Sequence, residues 1–198
     1  MNTVTVSTQI REEVGSRGAR TARAEGMVPA VIYGSNDPIH VLVNQKEVKP
    51  LIYTPDFKLG EISVNGSAIK CIVKETQFHP VTDELLHVDF LALTPGKKIK
   101  VEVPVRFVGN SPGVKNGGKL IQQLRKIKIK TTPENMIEEI NVDISHLELG
   151  QVLRVKNVQV SKDIELLINP SIPIANIEIP RALKSAAAAD AKSGGKKK

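Results

Sequence analysis

The sequence predicts a mainly β protein with a few short helices: a small N-terminal β-barrel, then a second, mostly β domain, then a disordered basic tail. Three observations carry that prediction. Apolar and polar residues alternate in short runs, as in Thr3–Ile10, where Val4 and Val6 take one side of a strand and Thr3, Thr5 and Ser7 the other. Turn signals rich in Gly, Pro, Asn and Asp separate these runs. The apolar share is 40% with no Trp and 3% aromatics, so the core must be built from Val, Ile and Leu.

Taken in order, the alternating Thr3–Ile10 is followed by Gly15 and Gly18, which loosen the backbone, and Ala19–Glu25 reads as a short helix. Gly26 is a natural helix stop, and Val28 is held extended by Pro29 on the way into a strand over Ala30–Tyr33, with Val31 and Tyr33 on one face. Ser35-Asn36-Asp37-Pro38 is a turn by composition, and Ile39–Val43 alternates again. Asn44 is placed to cap a helix over Gln45–Ile52, although Pro50 argues against its full length. Lys58–Val64, Asn65-Gly66 and Ala68–Glu75 form the clearest hairpin, because Asn-Gly accepts the positive φ angles of a tight turn. Leu85–Leu93 supplies a further strand. About six strands and two short helices within residues 1–94 give the barrel.

Thr94-Pro95-Gly96 marks a boundary, and residues 95–181 read as the second domain. Ile99–Val108 alternates and leads into a glycine-rich loop, Gly109 to Gly118. In Leu120–Lys130, Lys126, Lys128 and Lys130 share one strand face and Ile127 and Ile129 the other. Glu138–Ile144, Val152–Val160, Ile164–Ile168 and Ile172–Ile179 read as strands, with Ser145–Leu149 a turn or brief helix. Residues 182–198 are Ala, Lys, Ser and Gly with nothing to bury, and read as a disordered basic tail.

Composition also excludes. No apolar run approaches the roughly 18–20 residues a bilayer span requires, and the N-terminus has neither a basic start nor an apolar block, so no signal peptide and no membrane partner is expected. Cys71 is the single cysteine, which rules out an intrachain disulfide and suits a reducing cytoplasm; alternating with Ile69 and Val73, it reads as core. One cysteine and four scattered histidines make no familiar metal site, and the Gly117-Gly118 segment lacks the spacing of a nucleotide fingerprint, so no metal, cofactor or small-molecule substrate is expected.

The net charge of +7 favours an anionic partner, and its distribution says more than its total. Residues 1–94 hold nine Lys/Arg against eleven Asp/Glu, whereas residues 95–181 hold fourteen against nine, and the tail holds five lysines against Asp190. By bulk charge the second half is the binder. Gly15 to Gly34, GSRGARTARAEGMVPAVIYG, argues for the first. It spaces Arg17, Arg20 and Arg23 three residues apart, so that at helical pitch they project from one side, with Arg11 just before them. All four cations from residue 11 to 23 are Arg, set among Gly and Ala that permit close backbone approach. Arginine makes forked contacts with phosphate and stacks on bases, so this stretch reads as a nucleic-acid surface, RNA foremost. The competing reading is a solvated helix whose arginines pair with Glu12, Glu13 and Glu25. His87 and Asp89 lie on one face of their strand, with Leu86, Val88 and Phe90 on the other. They could serve as base and orienter of a hydrolase, but no nucleophile motif accompanies them, and a ligand-contacting strand is the simpler reading. His79-Pro80 reads as a turn.

Three blocks, REEVGSRGARTARAEGMVPAVIYG, KETQFHPVTDELLHVDFLAL and VEVPVRFVGNSPGVKNGGKL, occur in an order that resembles the bacterial large-subunit ribosomal protein twenty-five family, in its long two-domain form, also called general stress protein CTC. The resemblance covers about residues 3–181. It implies an N-terminal barrel that binds 5S ribosomal RNA at an internal, non-Watson–Crick loop, a C-terminal β domain absent from short members, a cytoplasmic ribosomal location and no catalytic activity. Carried over by position, the RNA-facing residues it implies are Arg11, Arg20, Arg23, Tyr33, His87 and Asp89. Lys74 stands where some members carry glutamine, and Arg17 lies within the same basic loop. Partners implied are 5S RNA and the large subunit, with 23S rRNA or neighbouring ribosomal proteins open for the second domain. A stress-induced accessory factor and an RNA hydrolase working through His87 and Asp89 remain the alternatives.

Overall fold

A sheet of short amphipathic strands leaves two unpaired edges unless it closes on itself, and the first part of this chain closes. The computed structural model describes residues 2–13, 15–34, 37–64, 66–161 and 163–180. In it β1 (Thr3–Ile10), β2 (Met27–Tyr33), β3 (Ile39–Asn44), β4 (Leu59–Val64), β5 (Ser67–Phe78) and β6 (Leu85–Ala92) form a barrel in the order β1-β3-β2-β6-β5-β4. Parallel pairing of β1 with β4 seals the cylinder, β2 and β6 make the other parallel pair, and the rest are antiparallel. Alternation sends Val6, Val41, Val43, Ile62, Val88 and Phe90 inward, where none retains accessible surface. At about 1.5–3 kcal/mol for each such side chain, that interior is what holds the barrel together.

Two helices decorate it. In α1 (Ser16–Ala24) only Ala22 is buried, so a narrow small-residue stripe meets the barrel and the long cations face water. The helix starts three residues before the expected Ala19, taking in Gly18. A Cβ there would stand 3.2 Å from the Glu13 carbonyl, so glycine lets the preceding loop pack against the first turn. Gly26, at φ +78°, ends the helix as expected. In α2 (Gln45–Ile52) the Asn44 side chain accepts from the Lys46 N–H at 3.0 Å, and the helix runs its full length through Pro50. Burial of Val48 and Leu51 outweighs the hydrogen bond lost at the proline. The strand expected over Ala30–Tyr33 begins at Met27, because β3 pairs with it from Met27↔Asn44 onward. Pro29 is tolerated because pairing with β6 begins only at Ala30↔Val88, so no donor is needed from it on that side. The expected hairpin partners β4 and β5 pair antiparallel, with Val64 opposite Ser67. Asn65 of the predicted turn lies outside the described residues, as do Ser35, Asn36 and the tail.

The chain divides into two compact units, one running to Val103 and including Lys130–Glu138, the other comprising Pro104–Ile129 and Glu139 onward. Strands β7 (Ile99–Val108), β9 (Lys126–Thr131), β10 (Ile140–Asp143) and β12 (Glu165–Leu166) make a sheet in the order β10-β7-β9-β12. A second sheet is ordered β11-β13-β8, from β11 (Val152–Arg154), β13 (Pro173–Glu178) and β8 (Lys119–Gln122). Ile127 and Ile129 are wholly buried while Lys126 and Lys128 are exposed, the alternation predicted for that strand. Three expectations are corrected here. The strand expected over Val152–Val160 stops at Arg154, where a 3-10 turn over Val155–Asn157 buries Val155. Those expected over Glu138–Ile144 and Ile164–Ile168 shorten to Ile140–Asp143 and Glu165–Leu166. The glycine-rich loop contains α3 (Pro112–Lys115), capped by buried Ser111, whose hydroxyl donates to the Leu147 carbonyl and accepts from the Gly113 and Val114 N–H groups. A Cβ at Gly118 would meet Ile177 Cγ2 at 2.5 Å and the Gly113 carbonyl at 2.6 Å, so these glycines serve close packing.

Candidate nucleic-acid interface

Pairing of β2 with β6 in register Val31↔Asp89 and Tyr33↔Leu91 places Tyr33, His87 and Asp89 on the outer face of the barrel, while Ala30, Ile32, Val88 and Phe90 fill the inside. His87 Nδ1 and Asp89 Oδ1 are 2.8 Å apart, with the two side chains 24% and 31% exposed. The carboxylate thus orients the ring and turns Nε2 to the outside. Burial, and then the negative charges of Asp89 and Glu75, raise the Tyr33 phenol above its ordinary value; its hydroxyl is a donor at neutral pH with or without that shift.

β5 completes the face with two irregularities. Its register with β6 shifts between Val73 and Glu75, so Lys74 occupies a bulge and Glu75 stands opposite Asp89. Lys74 is exposed, and its amine donates to the Lys100 carbonyl at 3.1 Å. A second shift pairs Gln77 with His87 but Phe78 with Leu85. Leu86 is therefore skipped in the ladder. The expectation that Leu86 shares the core face with Val88 and Phe90 is corrected: Leu85 is the buried residue and Leu86 is only half-buried.

The carbonyl of Leu86 accepts from both Nε and Nη2 of Arg23, at 3.0 and 2.9 Å. One forked guanidinium thus ties the last turn of α1 to the residue before His87. Arg11 is similarly engaged, but away from the face: its Nε donates to the Glu13 carbonyl and its Nη2 to the Gly15 carbonyl, both at 2.8 Å, so it folds the loop leading into α1. Arg17 and Arg20 are exposed and make no side-chain hydrogen bond or ion pair among the described residues. None of the four arginines pairs with the carboxylates of Glu12, Glu13 or Glu25, so the arrangement that would make this an ordinary self-neutralised helix is absent among the described residues.

Tyr33, His87 and Asp89 are therefore brought together, Arg23 is joined to them through the backbone, Arg17 and Arg20 reach outward from the same helix, and Arg11 and Lys74 are engaged with main-chain carbonyls. Sequence reasoning missed Glu75 and Gln77. Strand alternation could have flagged them, but the bulge at Lys74 reverses which β5 residues face outward. His79 is in a turn, as expected, its Nδ1 accepting from the Val81 and Thr82 N–H groups at 3.3 and 3.2 Å. Among the described residues no cluster of His, Cys, Asp and Glu could hold a metal, and no helix is long and apolar enough to cross a membrane.

Fold and face together describe a two-unit β protein whose barrel presents donors, acceptors and outward arginines on one surface. Residues 6–90 match the family described as Ribosomal L25p family, and residues 98–181 that described as Ribosomal protein TL5, C-terminal domain. The chain is 35% identical, over all of both chains, to a protein named large ribosomal subunit protein bL25 from Amoebophilus asiaticus. It is 38% identical to that of Cytophaga hutchinsonii over 92% of this chain and 94% of the relative. With that of Porphyromonas gingivalis it shares 37% over 94% of this chain and 98% of the relative. The chain belongs to the bL25 family of ribosomal proteins, in its long form. It is a structural component rather than an enzyme.

Proposed function

We propose that this protein is a cytoplasmic component of the large ribosomal subunit that binds 5S ribosomal RNA through the outer face of β2, β6 and β5 together with α1. The observation that carries the reading is the β2–β6 register, which puts Tyr33 on the outer face two positions along from Asp89, with His87 bonded to Asp89 and Arg23 anchored at Leu86. Arg17 and Arg20 take phosphates with forked hydrogen bonds. Tyr33 offers a donor, His87 Nε2 an acceptor when the ring is neutral, and the outer oxygen of Asp89 a second acceptor. A carboxylate beside RNA is favourable only where it accepts from base amino groups or 2′-hydroxyls, so this face reads base edges and sugars as well as charge. Residues 1–94 form the 5S-binding domain. Residues 95–181 form the long-form domain, whose excess of cations fits 23S rRNA or an acidic ribosomal neighbour.

The test is a footprint of 5S RNA with the wild-type chain and with Arg20→Ala/His87→Ala. Protection of one internal loop by the wild type, lost in the variant, supports the assignment; identical protection by both overturns it. Retention on the large subunit through a salt-washed gradient separates an integral component from a transient accessory factor.

A further inference from the structure

The segment after β6 carries a basic run, Lys97-Lys98-Ile99-Lys100, to the Tyr33 end of this face. A tight reversal takes it there: Gly96 sits at φ +76°, and the Lys97 N–H donates to the Thr94 carbonyl at 3.2 Å. The Lys97 amine then donates to the Gly34 carbonyl at 3.1 Å, one residue past Tyr33. Three residues on, the Lys100 carbonyl accepts from the Lys74 amine at 3.1 Å. Residues 97–100 are thus fastened at both ends to the barrel strands β2 and β5, within the first compact unit. Inside the segment Ile99 is buried, so alternation turns Lys98 and Lys100 the other way, and both are exposed. Neither side chain makes a hydrogen bond or ion pair among the described residues.

Two observations set this run apart from an ordinary solvated one. Its backbone is fixed before any partner arrives, which lowers the entropy lost when its side chains take hold of a ligand. The Tyr33 end of the face is otherwise acidic: Glu75 stands opposite Asp89 in the β5–β6 ladder, and both charges reach the Tyr33 phenol. The cations of α1 enter at the other end, where Arg23 is held by the Leu86 carbonyl. From Leu86 to Leu91, the ladder partner of Tyr33, β6 advances by about 17 Å at ordinary strand rise. A phosphate backbone crossing the face from α1 would meet carboxylates at the far end unless lysines stood there to receive it.

We propose that Lys98 and Lys100, on a segment pinned by Lys97 and Lys74, hold the phosphates of the same RNA at the Tyr33 end of the face, while Arg17 and Arg20 hold those at the Leu86 end. The proposal rests on the RNA-binding reading above and extends that contact past residue 94. Its test is equilibrium binding of 5S RNA to the full chain at several salt concentrations, with hydroxyl-radical probing of the RNA backbone. The chains compared are wild type, Lys98→Ala/Lys100→Ala, Arg17→Ala/Arg20→Ala and, as a control removing equal charge from the exposed side of α2, Lys46→Ala/Lys49→Ala. Expected for Lys98→Ala/Lys100→Ala is a slope of log affinity against log salt flatter by about 1.4–1.8, a roughly 25- to 60-fold loss at about 0.1 M salt that closes towards 1 M. Thermal melts should match the wild type, and the backbone protections lost should differ from those lost in the arginine variant. A wild-type slope and footprint in Lys98→Ala/Lys100→Ala, or equal flattening in the α2 control, would overturn the lysine grip and leave the arginine face standing. Failure of the wild-type chain to bind 5S RNA would overturn both readings.

Discussion

Replacing Arg23 should cost stability as well as affinity, whereas replacing Arg20 should cost affinity alone. Arg23 donates two hydrogen bonds to the Leu86 carbonyl, a group that the β5–β6 register shift drops from the ladder. Net values for protein hydrogen bonds run about 0.5–1.5 kcal/mol each, and the exposure of this side chain argues for the low end. Arg23→Ala should therefore destabilise the first unit by about 1 kcal/mol, a drop in Tm of roughly 4–8 °C for a unit of this size. Arg23→Lys keeps the charge but cannot fork and should recover less than half of that loss. Arg20 makes no comparable bond among the described residues, so Arg20→Ala should melt with the wild type. The assay is a thermal melt by circular dichroism beside titration with 5S RNA. An unshifted Tm for Arg23→Ala, or an equal drop for Arg20→Ala, would refute the idea that Arg23 acts partly by positioning β6.

Four further outcomes are expected. Gly34 has φ +117°, and a Cβ there would stand 2.7 Å from Leu91 Cδ1 and 3.2 Å from the Ala92 carbonyl, so Gly34→Ala should lower stability by about 2–4 kcal/mol in urea titration. Cys71 is fully buried, and burial pushes its thiol up to about 12, so a thiol reagent should label it only as fast as the barrel opens. Because the unfolded thiol ionises near 9 and the folded one does not, the native state holds the extra proton in that window. Stability should then be complete below pH 9 and fall by up to about 1.4 kcal/mol per pH unit towards pH 12, a component that Cys71→Ala removes from the alkaline titration. Gly118→Ala should destabilise the second unit, since the Gly113 carbonyl cannot retreat as a flexible side chain would.

Alternation made most of the barrel legible in the sequence. The barrel strands, the Asn44 cap and the inward Ile127 and Ile129 all follow from periodicity and one well-placed asparagine. Positions that depended on register between strands were not. Nothing in the letters around Lys74 or Leu86 announces a bulge, because a bulge is settled by how two strands fit and not by either alone. For the same reason the site was readable as a set of residues but not as a division of labour. Arg11, Arg17, Arg20 and Arg23 look alike in sequence, yet two of them hold backbone carbonyls. In the second unit alternation overran the strands: Val155 is buried as Val152–Val160 would require, but by a 3-10 turn, and β12 keeps only Glu165–Leu166.

That division of labour sets how steeply binding should depend on salt. A patch that worked by charge alone would use all four arginines on phosphates. Here Arg11 is spent on its own loop, Arg23 is shared with Leu86, and Glu75 and Asp89 place negative charge against the same face. Only Arg17 and Arg20 are left as uncommitted phosphate partners on α1. Each neutralised phosphate contributes about 0.7–0.9 to the slope of log affinity against log salt. Arg17→Ala/Arg20→Ala should therefore flatten that slope by about 1.4–1.8 relative to wild type, whatever the second unit and the tail contribute to both chains. Tyr33→Phe and Asp89→Asn should weaken binding with no change in slope, because they alter hydrogen bonding to bases and sugars and release no counterions. An unchanged slope in the double arginine variant would place the phosphate contacts elsewhere on the chain. A flattened slope in Tyr33→Phe would mean that this face does not separate reading from holding.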